Sequence, residues 1–145
     1  MITIVVGRDF SVAPDVLFDE LRHLERHVEW MADAESITFE SDQREGVGTS
    51  FVCRTKIGPW ATNDAMIVVE WRENAAITVE HRGLFTGRGT FVLTPVAVGT
   101  RLEWREEINF PPWLLGPIGA NVARPLLRAV WSRNLRRLEE RLATS

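Results

Sequence analysis

The chain contains no tyrosine and a single cysteine, Cys53. A lone cysteine excludes an internal disulfide framework and suits a reducing, cytoplasmic setting. The missing phenol removes one common general acid from any mechanism. No apolar run approaches the roughly 20 residues that cross a bilayer. The opening "MITIVVGRDF" has neither a basic leader nor a small-residue cleavage site, so it does not read as a secretion signal. No Ser-His-Asp or Cys-His arrangement is readable. The glycines of "GRG", Gly87 and Gly89, do not sit between a strand and a helix, so they cradle no phosphate. Inside a strand they mark a bulge, or room for a helix or ligand to approach. His23 and His27 are four apart, but Leu24 stands where a metalloprotease helix carries Glu, and no third ligand is evident. Neither a metal nor a cofactor is expected.

What is present suits one domain over residues 1–145, with 45% hydrophobic and 26% charged residues. The net charge of −3 is unevenly spread. From Asn121 onward, six arginines against two glutamates leave that segment at +4 and the remainder at −7. Such a helix is either a solvated face or a surface for an acidic partner or a membrane. Whole-chain acidity argues against nucleic acid.

Apolar periodicity divides the chain. Residues 2–10 read as a strand. Pro14 opens a helical stretch in which Val16, Leu17, Leu21, Leu24 and Val28 recur at helical spacing. This is a short helix pair, or one helix with a break. Strands are expected over 35–44, 48–57, 61–72, 76–82, 86–97 and 100–110, joined by short turns and therefore antiparallel. Pro111-Pro112 ends the sheet. A long C-terminal helix follows, with Leu127, Val130, Trp131, Leu135, Leu138 and Leu142 on one stripe. It is expected to start near Pro125, with a shorter turn at Pro117 before it. Only this helix is long enough to cover a sheet face.

One strand breaks its own pattern. In "TRLEWREEINF", Leu102, Trp104, Ile108 and Phe110 point one way and the charged residues the other, yet Glu106 shares the apolar face. A buried carboxylate must be paired, hydrogen-bonded, protonated or wetted. His81 likewise continues the apolar face of Ile77 and Val79. A Glu and a His facing one space form a ligand anchor or an acid/base pair; at strand ends they would simply meet solvent. Thr55 and Asn63 are candidates for the same space. Cys53 sits beside Phe51 on an apolar face, as an inert thiol rather than a nucleophile.

This order resembles the START-like, helix-grip proteins (SRPBCC), in particular the polyketide cyclase/dehydrase and lipid-transport branch, with a distant similarity to Bet v 1-type plant allergens. The stretches that carry it are "FSVAPDVLFDELRHLERHVEWMADAESITF", "WRENAAITVEHRG" and "RRLEERL". The resemblance implies an α+β fold in which a curved antiparallel sheet of about seven strands, with two short helices after the first, wraps around a long C-terminal helix. It also implies an elongated cavity between sheet and helix. The expected ligand-binding residues are Phe39, Phe51, Cys53, Trp71, Val79, His81, Phe91, Trp104, Glu106, Ile108, Trp113, Leu127 and Trp131. Their large side chains either line a hollow or fill it. "PPWLLGPIGANVARP" is expected to cover the cavity as a lid, to serve as an interface, or to be ordinary core under the sheet. The implied function is binding of a small hydrophobic molecule of lipid, polyketide or aromatic type. One alternative is a cyclase/aromatase-type enzyme using His81 and Glu106. Another is an interaction protein using the basic helix or the 111–119 loop. Weak membrane-surface contact, and either a monomer or a homodimer, fit these readings.

Overall fold

The computed structural model describes residues 1–144. Seven strands form one antiparallel sheet in the order β1-β7-β6-β5-β4-β3-β2. They are β1 (Ile2–Phe10), β2 (Ala34–Phe39), β3 (Ser50–Ile57), β4 (Trp60–Arg72), β5 (Ala76–Arg82), β6 (Thr86–Val96) and β7 (Gly99–Asn109). The first two strands lie at opposite edges, so the chain between them must cross the whole sheet. It does so as α1 (Pro14–Leu21) and a 3-10 helix (Leu24–Glu29). Leu17, Phe18, Leu21 and Leu24 seal that crossing, all fully buried. The helix pair is therefore two separate elements.

The last helix, α2 (Gly116–Ala143), lies along β1 on the covered face of the sheet. It does not begin at Pro125. It starts nine residues earlier, after Leu115 turns the backbone left-handed at φ 64°. Pro125 stays inside the helix with its ring exposed. A mid-helix proline forfeits one backbone hydrogen bond and costs about 3 kcal/mol. Packing of Gly116, Ala120, Leu127, Trp131, Leu135 and Leu138 offsets that cost.

Polar ties hold the C-terminal half of α2. Arg8 grips Glu139 through two hydrogen bonds of 3.1 and 3.0 Å. Arg141 pairs with Glu20. Asn134, fully buried, donates to Asp33 at 2.7 Å and accepts from the Ala32 N–H at 3.0 Å.

Two strand details differ from the periodicity. The second strand stops at Phe39, because the Gln43 amide draws the carbonyls of Glu45 and Val47 into a polar loop. In β4 the pairing skips Val69, a bulge that turns Trp71 onto the covered face opposite Ile77.

Candidate functional site

A cavity of about 200 Å³ lies between the sheet and α2. That is well beyond the size of a single-water void. Ten of the expected residues stand on its wall: Phe51, Cys53, Val79, His81, Phe91, Trp104, Glu106, Ile108, Leu127 and Trp131. The aromatic rings do not plug it. They stack on one another along one side, with Trp30, Phe91, Trp104 and Trp131 linked by centroid distances of 5.3 to 6.1 Å.

Three expected residues lie elsewhere. Phe39 shares a face with Phe51 but ends an edge strand, where the Arg44 guanidinium covers its ring at 4.7 Å. Trp71 is carried past the cavity to the end of β4, where it packs edge-on to Phe18 of α1 at 5.5 Å. Trp113 points into solvent with 66% exposure. Leu115 and Ile118 do the same, and no residue of 111–119 stands on the cavity wall. Of the two further polar candidates, Thr55 reaches the wall. Asn63 is on the outer face, within 3.4 Å of Arg54.

Glu106 is buried at 6% exposure and fully partnered. Alternation puts Trp104 and Glu106 on one face, and the Trp104 indole N–H donates to one carboxylate oxygen at 2.9 Å. The His81 Nε2 lies 2.8 Å from the other oxygen. His81 belongs to β5 and Glu106 to β7, so β6 runs between them. Strands are about 4.8 Å apart, so these two must reach across roughly twice that. Any side chain on the same face of β6 would block them. The residues of β6 opposite this pair are Gly87, facing His81, and Gly89, facing Glu106. A Cβ on Gly89 would stand 2.5 Å from the Glu106 carboxylate. Gly89 thus clears the path for a polar contact between non-adjacent strands, whereas a Cβ on Gly87, at φ 132°, would strike the Glu107 carbonyl. Alternation flagged both polar residues, but their meeting depends on a register across β5, β6 and β7 that alternation alone does not set.

Burial disfavours the charged His81 imidazolium. The hydrogen bond and charge of Glu106, together with the charge of Asp64, outweigh that, and its pKa rises above 6.5. Asp64 was not foreseen. It lies on the cavity wall, 7% exposed, opposite Cys53 on the covered face. Its partner among the described residues is the Thr62 hydroxyl, 3.2 Å from each oxygen. Alternation through 64, 66 and 68 was the available signal. Asp33 also reaches the wall, accepting from the Trp131 indole at 3.2 Å.

His27 is on the wall too, but burial drives its pKa down to about 4 and its Nε2 donates to the Leu21 carbonyl at 2.8 Å. Its partner in spacing, His23, sits on the surface near Glu25. No group of His, Cys, Asp and Glu able to hold a metal occurs among the described residues. Burial pushes the Cys53 thiol up to about 11, while the Thr55 hydroxyl lies 3.7 Å from its sulfur. Such a thiol is a poor nucleophile.

An antiparallel sheet closed over a long terminal helix, with a partly polar hollow between them, defines a helix-grip protein. The chain belongs to the polyketide cyclase / dehydrase and lipid transport family, whose model matches residues 1–144. Solved structures agree in fold. TTHA0849 from Thermus thermophilus superposes with a TM-score of 0.85 at 18% identity, covering 99% of this chain and 98% of that one. MLL2253 from Mesorhizobium loti gives 0.72 at 23% identity, covering 99% and 98%. The di-domain ARO/CYC StfQ from the steffimycin biosynthetic pathway gives 0.78 at 18% identity, with 95% of this chain matching 49% of that one. No curated protein matches in sequence.

Proposed function

We propose that the chain binds a small hydrophobic molecule in the cavity and orients it by one polar group. The observation that carries this reading is an apolar hollow with a polar cluster, His81, Glu106 and Asp64, on its wall. Apolar walls supply affinity and a few placed polar groups supply orientation. The acceptor-rich cluster favours a ligand that donates a hydrogen bond, such as a hydroxyl or an aryl amine. The volume of about 200 Å³ suits a compact ring system better than a whole phospholipid.

Binding of N-phenyl-1-naphthylamine, followed by fluorescence, tests the reading. Glu106→Gln is expected to weaken binding about tenfold, as loss of a hydrogen bond to a charged group does. Val79→Trp, which fills the hollow, is expected to abolish it. Unchanged binding in both variants would reject the site.

A second reading is a cyclase/aromatase-type enzyme. It is favoured by the 2.8 Å contact between His81 and Glu106, a distance suited to an acid/base pair. It requires turnover of a poly-β-ketone substrate that disappears in both His81→Ala and Glu106→Gln.

A further inference from the structure

The outer stripe of α2 is apolar where it should be charged. Leu115, Ile118, Val122 and Leu126 follow one another at helical spacing, on the side opposite buried Ala120 and Leu127. Their exposures run from 55 to 77%. Trp113 stands just before them, 66% exposed. Trp60, 68% exposed, is at the same end of the fold: it opens β4 six residues beyond Met66, the partner of His81. His81 is level with Gly87 and Ile108, and Trp113 follows Ile108 by five residues. A monomer rarely leaves large apolar side chains contiguous on its surface without a use for them.

The charge pattern supplies the second observation. Residues 108–138 contain no Asp or Glu and five arginines, at 124, 128, 133, 136 and 137. The chain is otherwise acidic, with a net charge of −3. Nine arginines elsewhere pair with carboxylates. None of these five does so among the described residues. Arg133, Arg136 and Arg137 continue the outer face of α2 directly after the apolar stripe, and all three are exposed. The outer face of one helix is thus apolar in its first half and, with Arg133, Arg136 and Arg137 against Glu140, net cationic in its second.

We propose that this face docks on an anionic lipid bilayer, with Ile118, Val122 and Leu126 entering the acyl boundary and the arginines meeting phosphates. A basic amphipathic face with a Trp beside it is the composition that binds such an interface. The stripe is a convex ridge, which a fluid surface accommodates without a matching groove. A bilayer is favoured over a second copy because the apolar stripe and the net cationic stretch lie end to end along one exposed face, matching acyl boundary and phosphates at once. The proposal goes beyond ligand binding in the cavity and does not depend on it.

The test is co-sedimentation of the full chain with vesicles of phosphatidylcholine alone or mixed 7:3 with phosphatidylglycerol. Wild-type protein is expected to bind the anionic vesicles at least tenfold more strongly, with binding that weakens as salt rises. Ile118→Asp/Val122→Asp, on exposed positions, is expected to reduce binding tenfold or more with an unchanged circular dichroism spectrum. Arg133→Glu/Arg136→Glu is expected to remove the preference for anionic lipid. Glu106→Gln is expected to bind vesicles like wild type, which separates this face from the cavity. Wild-type protein that ignores both vesicles, or apolar and arginine variants that bind like wild type, overturns the proposal. So does a dimer in light scattering that the Asp variants split, which would assign the stripe to a second copy.

Discussion

The Glu106 carboxylate lies directly over Gly89, in the space that a side chain on β6 would take. Gly89 is therefore a positioning residue for the contact between His81 and Glu106. Gly89→Ala is expected to displace the carboxylate and lower the His81 pKa, read by NMR titration. Overpacking of this kind is expected to cost about 1–3 kcal/mol of stability. A His81 titration identical to wild type would contradict the arrangement.

The two histidines on the cavity wall, His27 and His81, are expected to bias stability with pH in opposite senses. His27 falls from 6.5 to about 4, worth roughly 3 kcal/mol. Its neutral form is favoured in the fold, so its contribution is complete above pH 6.5 and is lost as pH falls toward 4. His81 is raised, so its contribution is complete below 6.5 and is lost as pH rises through its folded-state value. Denaturant titrations at pH 4.5, 6 and 9 check both signs. His27→Gln should flatten the acid limb, and His81→Gln should flatten the alkaline one. Unchanged slopes in the variants would refute the assignment.

Cys53 is expected to resist alkylation. With its thiol pushed up to about 11 and its side chain buried, iodoacetamide at pH 8 should modify the folded chain at least tenfold more slowly than the unfolded chain. Equal rates would show that the cavity wall near Cys53 opens freely.

Asn134 is expected to be the costliest polar position of α2. Asn134→Ala strands the Ala32 N–H and removes a donor from Asp33. Each buried group left unsatisfied costs about 1–3 kcal/mol. A loss below about 0.5 kcal/mol in urea unfolding would mean that water replaces the amide without penalty.

Periodicity along the chain was sufficient to determine that there are seven strands, a helical stretch after β1, a long terminal helix and an inward direction for Glu106 and His81, but not whether that stretch is one helix or two, nor the bounds of β2 and α2. These follow from local alternation, which depends only on backbone geometry. Three outcomes needed the tertiary structure. The covered stripe of α2 carries the helix through Pro125, because burial outweighs one lost hydrogen bond. The length of β4 carries Trp71 past the cavity to Phe18 of α1, and the end of the edge strand β2 leaves Phe39 under Arg44, because register and strand length are settled by pairing. The contact of His81 with Glu106 over Gly89 depends on the register of β5, β6 and β7. Short turns implied these strand neighbours, but register across three strands is a property of long-range pairing that local alternation leaves open.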